Sequence, residues 1–275
     1  MTEVDLIRNT LEPRTRETLA RDLRGSGLGE GRVVIVHASL SALGWVCGGA
    51  VAVVHALLDV LGPTGSLVMP AHTPDLTNPA NWEAPPVPSP WVKVIQAHMP
   101  AFDPLTTPTR AMGAVAELFR TWPTAKRSDH PTFSFSACGP LADWMVGEHE
   151  MADPAGERSP LAKLYQIDAD ILLLGVGFDK CTMLHLAEQR AWPDRPADRE
   201  GSPVMVEGER RWLEYDTTPL IDSRHFLPIG EGLLKAELAK RAKIGSANCI
   251  LVSSRVAVDC AVEIWRDMQP PSQDA

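Results

Sequence analysis

Two uninterrupted apolar runs most strongly constrain what this 275-residue chain can fold into. The β-branched run 33–36 leads directly into His37, and the run 171–176 is the most apolar in the sequence. Because the first run does not alternate between apolar and polar residues, it is typical of a strand covered on both faces. It is followed by a helical pattern at 50–61 and a second strand at 66–69. A right-handed parallel crossover is the default for such a strand–helix–strand unit, so the pattern predicts an α/β fold with a central sheet.

Further elements are predicted along the rest of the chain, and a proline-rich segment at 72–108 is expected to be a long loop that serves as a lid or wall. The sequence contains no linker, repeat or low-complexity segment, so we expect residues 1–275 to form a single domain, with helices flanking a mixed sheet. The remaining predicted helices lie at 14–24, 112–122, 161–167, 182–191 and 232–241, with one more ending near Met268, and the remaining strands lie at 132–137, 204–206, 211–215 and 250–253.

The charge balance argues against one class of partner. The chain has 26 Lys and Arg residues against 35 Asp and Glu residues, a formal net charge of −9. Proteins that bind duplex nucleic acid need a basic face to displace counterions, so we expect no nucleic-acid partner. Polar residues and a glycine pair interrupt the longest uncharged stretch, 33–58, and the charged N-terminus lacks an apolar run. We therefore expect no membrane span, no secretory signal and a cytoplasmic location.

The five cysteines are odd in number and scattered, without a CxxC spacing. This pattern predicts reduced, mostly buried thiols, with neither a disulfide framework nor a structural zinc site. The sequence also lacks the GxxxxGK[ST], GxSxG and HExxH motifs. Its glycines at 25–31 come before a predicted strand, whereas the glycines of a dinucleotide-binding motif come after a strand. These absences remove most support for an ATPase, a serine hydrolase or a zinc protease.

Polar residues that follow predicted strands remain as candidates, because open α/β sheets bind ligands at the carboxyl ends of their strands. The small residues of the loop 37–44 allow backbone N–H groups to approach an anion such as a pyrophosphate, although the same loop also suits an ordinary strand-to-helix connection. The segment 127–131 combines a cation, a hydroxyl and an imidazole, which suits either a phosphate site or a salt-bridged turn.

Three residues at the start of a predicted helix share one face. Thr182, His185 and Glu188 are spaced at i, i+3 and follow the most apolar strand. An imidazole beside a carboxylate is a base whose tautomer is fixed and whose conjugate acid is stabilised. A histidine that caps the helix or packs in the core would have the same spacing, so the pattern alone leaves both interpretations open.

Taken in order, these and neighbouring segments resemble the aminoglycoside 3-N-acetyltransferases. The resemblance is strong over 33–191 and loose elsewhere. It implies the antibiotic N-acetyltransferase fold, which is distinct from the GNAT fold, and a transferase that uses acetyl-CoA as co-substrate to acetylate the 3-amino group of an aminoglycoside antibiotic. The matching segments are 37–44, 102–104 with 107–109, 112–113, 127–131, and 172–177 followed by 182–188.

The resemblance also implies roles for individual residues. His185 is similar to the family's catalytic histidine and Glu188 to its nearby carboxylate, while Thr182 or a backbone N–H would stabilise the thioester oxyanion. No metal is implied. The coenzyme side would comprise His37, Ser39, Leu40, Ser41, Ala42, Leu43, Thr109, Met112, Gly113, Arg127, Ser128 and His130.

Such a substrate would make two demands on the site. An aminoglycoside is a polycation, so carboxylates should line its binding site, and a general base must remove a proton from the ammonium group before it can attack. We expect His185 to be that base in a direct transfer within a ternary complex, and we regard Cys181 as a minor candidate for an acyl carrier. The candidate substrate-binding residues are Asp75, Glu83, Asp103, Glu214, Asp216 and Asp222.

Two alternatives come from other functional classes. His37, His130 and His185 could be ligands of a metal-dependent hydrolase, or the chain could be a coenzyme-binding protein in which His185 is structural. The sequence is compatible with either a monomer or a homodimer.

Overall fold

A computed structural model describes residues 2–271. The strands are β1 (Val33–Ala38), β2 (Ser66–Pro70), β3 (Lys126–Arg127), β4 (Phe135–Cys138), β5 (Asp170–Leu174), β6 (Asp198–Val206), β7 (Glu209–Thr217), β8 (Lys240–Ile244) and β9 (Ala247–Ser253). Seven of them form a central mixed sheet in the order β3-β4-β2-β1-β5-β9-β8, and β6 and β7 form a separate antiparallel hairpin. The predicted α/β class with a mixed sheet is confirmed.

Helices cover both faces of this sheet, which explains the absence of alternation in its central strands. Along β1, Val34 and Val36 pack into the hydrophobic cluster on one face, and Ile35 packs into the cluster on the other. The helices are α1 (Glu3–Asn9), α2 (Arg16–Ser26), α3 (Gly49–Leu61), α4 (Ser89–His98), α5 (Gly113–Arg120), α6 (Ala142–Gly147), α7 (Pro160–Gln166), α8 (Leu184–Ala191), α9 (Leu227–Lys235) and α10 (Ser254–Arg266).

The centre of the sheet is parallel and its flanks are antiparallel. Strand β1 pairs in parallel with β2 on one side and with β5 on the other, so the predicted crossover through α3 is present. Strands β4 and β9 then pair antiparallel with β2 and β5. The carboxyl ends of β1, β2 and β5 therefore meet at one edge of the sheet.

Two predicted elements are wrong. The segment 72–108 contains helix α4, which has no buried residue and has a proline within its first turn, where a proline costs no hydrogen bond. The helix predicted at 232–241 is instead α9, which ends at Lys235, followed by the edge strand β8. Pairing of β8 with β9, a contact between strands, outweighs the local helical pattern.

The cysteines are free thiols, and Cys138, Cys181 and Cys249 are buried, as expected for most of them. Cys47 is exposed and Cys260 is half-buried. Over residues 2–271, no helix combines the length and apolarity needed to cross a membrane.

Candidate active site

A cavity of about 580 Å³ lies at the carboxyl ends of β1 and β5. This is the topological switch point of the sheet: the chain passes from β1 to β2 on one side of β1, and the later strand β5 lies on the other side. Ligands of open α/β sheets bind at such a point. The cavity is bounded by the end of β1 and its loop, by the start of α5, by Phe133, by the segment leading into α8, and by Phe226.

The loop after β1 and the start of α5 form one wall. Ser39, Leu40 and Ser41 line the cavity, and Met112 and Gly113 face it from the start of α5. Gly113 has a φ of +82°, and a Cβ there would lie 3.3 Å from the carbonyl oxygen of Ala38, so this close approach favours glycine. Two other predicted coenzyme residues do not line the cavity: Leu43 is fully buried in the core, and Ala42 packs beside it.

His37 and Thr182 connect the two parallel strands at the base of the cavity. The backbone N–H of Thr182 donates to Nε2 of His37 at 3.1 Å, and the Thr182 Oγ1 atom lies 2.8 Å from the same nitrogen. Because Nε2 accepts a hydrogen bond, the His37 ring carries its proton on Nδ1. Burial, with a smaller effect of His185, lowers the pKa of His37 to about 3, so the ring is neutral.

This contact bears on which group can stabilise an oxyanion. The Thr182 N–H is already used by His37 and by the Lys180 carbonyl, so it is not free to bind a ligand. The Thr182 side chain lines the cavity. Since Nε2 of His37 carries no proton, the Thr182 hydroxyl also donates to it, and the hydroxyl can bind an oxyanion only by exchanging this hydrogen bond.

His185 and Glu188 form the contact that their spacing predicts. Nδ1 of His185 lies 3.2 Å from Oε2 of Glu188, and the ring packs edge-on between Phe133 and Phe226. Since an ionised carboxylate only accepts hydrogen bonds, Nδ1 donates, and Nε2 is the nitrogen left for a ligand. The His185 side chain is 13% exposed and lines the cavity, so this nitrogen belongs to a ring that a ligand can reach.

Glu188 is held by donors from three parts of the chain. Its side chain has no exposed surface, and besides His185 it accepts the guanidinium of Arg195 at 3.2 Å and the N–H of Ile221 at 3.2 and 3.4 Å. A buried carboxylate is stable only with such partners. Arg195 and Ile221 were not predicted as part of the site. Neither spacing nor composition indicates that the Arg195 side chain, after α8, or the Ile221 N–H, after β7, will contact Glu188.

His72 is a further residue of the site that was not predicted from the sequence. It lines the cavity, stacks on Phe133 at 3.9 Å between ring centroids, and has a buried Nε2 with no partner among the described residues. Burial, together with His185 and His37, holds the pKa of His72 well below its usual range. A signal was present, since His72 follows β2 as His37 ends β1.

Arg127 was expected beside a coenzyme phosphate, and its contacts do not support that role. It does not line the cavity, and its guanidinium donates to the Ala71 and Thr107 carbonyls and to the Thr73 and Ser134 hydroxyls. Burial lowers the pKa of Arg127 to about 10. With its donors used in this way, the guanidinium ties loops together and could bind a phosphate only by breaking these contacts.

Three neighbouring candidates also have structural contacts and do not line the cavity. The Ser128 hydroxyl is buried between the Phe135 N–H and Nδ1 of His149. His130 accepts the Phe133 N–H at 2.9 Å, and burial lowers its pKa to about 4. Thr109 donates twice to Glu117. Of the two interpretations of 127–131, these contacts favour a structural turn.

The six predicted acidic residues do not line the cavity either. Most of them have partners of their own, which short-range charge patterns in the sequence do not reveal. Asp75 pairs with Arg110, Asp103 caps the turn that follows it, Glu214 and Asp216 share Arg199, Asp222 pairs with Arg224, and Glu83 is exposed.

Two carboxylates that were not predicted line cavities. Asp179 lines the large cavity and pairs with Lys180 at 3.1 Å. Asp198 lines a second cavity of about 510 Å³, together with Asp222, His225 and Arg195. The expected acidic wall is therefore absent from the large cavity in the part of the chain that the structure describes.

The remaining minor candidates can be placed as well. Cys181 is fully buried, and burial raises the pKa of its thiol to about 12, which makes it a poor acyl carrier. Among residues 2–271, no three His, Cys, Asp or Glu side chains are grouped so that they could hold a metal ion. His130, one of the three proposed metal ligands, is fully buried outside the cavity lining.

Comparisons with known proteins agree on one family. A family model described as aminoglycoside 3-N-acetyltransferase matches residues 35–266. The aminoglycoside N(3')-acetyltransferase-like protein YokD of Bacillus subtilis is 43% identical over 94% of this chain and 95% of its own. Aminoglycoside N(3)-acetyltransferase VII of Streptomyces paromomycinus is 35% identical over 95% of each chain.

Solved structures agree with these sequence matches. The crystal structure of YokD superposes with a TM-score of 0.93, covering 96% of this chain and 98% of that one, at 41% identity. AAC-IIIb in a binary complex with CoASH gives 0.82 at 29% identity, covering 94% and 100%. AAC-VIa bound to sisomicin gives 0.81 at 30% identity, covering 92% and 97%.

The contacts of Arg127 predict a structural effect of its loss. Replacing Arg127 with Met should lower the free energy of unfolding by on the order of 3 kcal/mol, because buried carbonyl acceptors lose their donors. Urea denaturation measures this loss, and Arg110→Met, at an exposed arginine in the same region, is the control. The folded Arg127→Met protein should keep its affinity for coenzyme A in calorimetric titration. A selective loss of that affinity at unchanged stability would restore the phosphate role.

Proposed function

The chain belongs to the aminoglycoside 3-N-acetyltransferase family, and we propose that it transfers the acetyl group of acetyl-CoA to the 3-amino group of an aminoglycoside. The observation that carries this proposal is the His185–Glu188 pair, which presents one free imidazole nitrogen to a cavity at the carboxyl edge of the sheet. CoASH is bound by one structural neighbour and sisomicin by another, which supports both substrates.

Acetyl-CoA is proposed to occupy the large cavity. The small side chains of Ser39 and Ser41, together with Gly113, allow backbone groups to lie close to the surface of the cavity, and the start of α5 has no side-chain cap to occupy its first N–H groups. Anions bind well where such N–H groups are free. Apolar side chains such as Val36, Phe133 and Phe226 suit the pantetheine arm and the acetyl group.

The proposed chemistry is a direct transfer between the two substrates. Nε2 of His185 takes a proton from the substrate ammonium group, and the amine nitrogen then attacks the thioester carbonyl carbon. The carbonyl oxygen becomes an oxyanion, to which the Thr182 hydroxyl donates after turning away from His37. Collapse of this intermediate breaks the C–S bond, the departing thiolate takes the proton from the His185 imidazolium, and the amide nitrogen loses its second proton to solvent. The amide product, free coenzyme A and one released proton account for all atoms, and no acyl-enzyme forms.

The aminoglycoside is proposed to bind next to the acetyl-CoA cavity and not within it. The polycation is expected to meet carboxylates outside the acetyl-CoA cavity, since Asp179 is the acidic side chain that lines it. Asp198 and Asp222, which line the second cavity, are candidates for the remaining amines. Their exposure to solvent predicts contacts that weaken with ionic strength.

The proposal is tested by release of thiol from acetyl-CoA with kanamycin-like or gentamicin-like amines. We expect thiol release that depends on the amine, with stoichiometric formation of a product acetylated at the 3-amino group, as located by NMR. Thiol release at the same rate without amine would indicate hydrolysis. Binding of acetyl-CoA without any thiol release, across a panel of such amines, would favour a coenzyme-binding protein.

Replacing His185 with Gln should remove the general base while keeping similar size and polarity. We expect kcat to fall by about 10²–10⁴-fold, with both substrates still bound, because proton transfer by a positioned side chain contributes that much. Steady-state kinetics and calorimetric titration measure the two quantities. His98→Gln, on the exposed surface of α4, is the matched control. Turnover near wild type in the His185→Gln enzyme would refute the general-base role.

A further inference from the structure

We propose that Arg195 is a positioning residue for this reaction, which fixes the Glu188 carboxylate against His185 without reaching the reacting atoms. The inference rests on the proposed function, because it assigns a task within the same site. Arg195 lies four residues beyond α8 and does not line the large cavity. Any effect on the transfer must therefore pass through Glu188.

The contacts of Arg195 hold the carboxylate and its surroundings together. One terminal nitrogen of the guanidinium donates to Oε1 of Glu188 at 3.2 Å, and the other donates to the Pro219 carbonyl at 3.0 Å. Glu188 in turn accepts the Ile221 N–H. Arg195 and Glu188 thus bind the same short segment after β7 from two sides. The Arg195 side chain is only 9% exposed, so water screens the ion pair little.

Among residues 2–271, Arg195 is also the permanently charged cation that contacts the Glu188 carboxylate. The other two partners of Glu188 are a neutral backbone amide and the imidazole of His185. Burial without a countercharge favours the protonated carboxyl group. A permanently charged guanidinium at hydrogen-bonding distance keeps the carboxylate ionised.

Ionisation of Glu188 decides which imidazole nitrogen is available. An ionised carboxylate can only accept, so Nδ1 of His185 must donate and Nε2 keeps its lone pair for the substrate ammonium group. A protonated Glu188 can instead donate to Nδ1, and the neutral ring would then carry its proton on Nε2. In that tautomer the ring cannot accept the proton of the substrate. Arg195 thereby selects the productive tautomer.

The other charged and titratable groups around His185 do not replace Arg195. His37 and His72 line the same cavity as neutral rings, because burial lowers their pKa values. Asp179 and Lys180 form an ion pair with each other at the cavity wall. Asp198, Asp222 and His225 line the second cavity beside Arg195, and none of them contacts Glu188 in the described residues.

The test compares kcat against pH for the wild type, Arg195→Gln, Arg195→Lys and Glu188→Gln. Removing the Arg195 guanidinium raises the pKa of the His185–Glu188 pair, because the pair then takes up a proton more easily, on either the imidazole or the carboxylate. Arg195→Gln should therefore move the acid limb of kcat to higher pH by about 1 unit, while Glu188→Gln should move it to lower pH. Arg195→Lys keeps the charge and should leave the limb near its wild-type position. KM for acetyl-CoA should change little.

Arg190→Gln is the matched control, since Arg190 lies on α8 and pairs with Glu157 at the surface. It should leave the limb unchanged. An unmoved limb in a folded Arg195→Gln enzyme, with only a lower Tm, would overturn the positioning role. If His185→Gln is inactive while that limb is unmoved, only the Arg195 inference fails. If His185→Gln retains its turnover, the proposed function fails.

A second measurement does not depend on the folding of Arg195→Gln. Infrared spectra of the wild type, with Glu188→Gln for assignment, show whether Glu188 is ionised. We expect no band of a protonated carboxyl group from Glu188 at neutral pH. Such a band, present in the wild type and lost in Glu188→Gln, would contradict the inference.

Discussion

A carboxylate with no exposed surface, Glu188, is the constraint on which the arrangement of the site depends. Keeping its charge away from water requires several donors, and they come from α8 itself, from Arg195 beyond that helix, and from Ile221 after the hairpin. Three separate segments are thereby fixed around one side chain. The same interactions leave a single imidazole nitrogen of His185, Nε2, free. The contacts that stabilise the buried Glu188 charge therefore also provide the nitrogen that the proposed general base needs.

The parallel centre of the sheet places this carboxylate beside the cavity proposed to bind the substrates. Strands β1 and β5 run in the same direction as neighbours, so the end of one, His37, meets the segment that follows the other, Thr182. Their hydrogen bond fixes the start of α8 and with it the position of His185 one turn later. Burial keeps the rings of His37 and His72 neutral, which limits the positive charge around a site that must accept a proton.

Features set by local spacing could be predicted from the sequence, and features set by distant partners could not. The apolar runs predicted β1 and β5, and the i, i+3 spacing predicted the contact of His185 with Glu188. Arg127 has an equally suggestive local context, but both of its short carbonyl contacts, to Thr107 and Ala71, are with residues 20 and 56 positions away. The partners of the six acidic residues, and their positions outside the cavity, likewise depend on how loops fold back. Strand β8 is defined by its partner β9, and Arg195 by a contact with Glu188 across a turn.

The buried Glu188 carboxylate fixes the tautomer of His185, with the proton of the neutral ring on Nδ1. Nitrogen NMR of protein labelled with ¹⁵N-histidine measures this directly, with His185→Gln used to assign the two ring signals. Above neutral pH, we predict a protonated Nδ1 and an unprotonated Nε2 for His185. A ring protonated on Nε2 with a free Nδ1 would contradict the account, because the nitrogen that faces the substrate could not accept its proton.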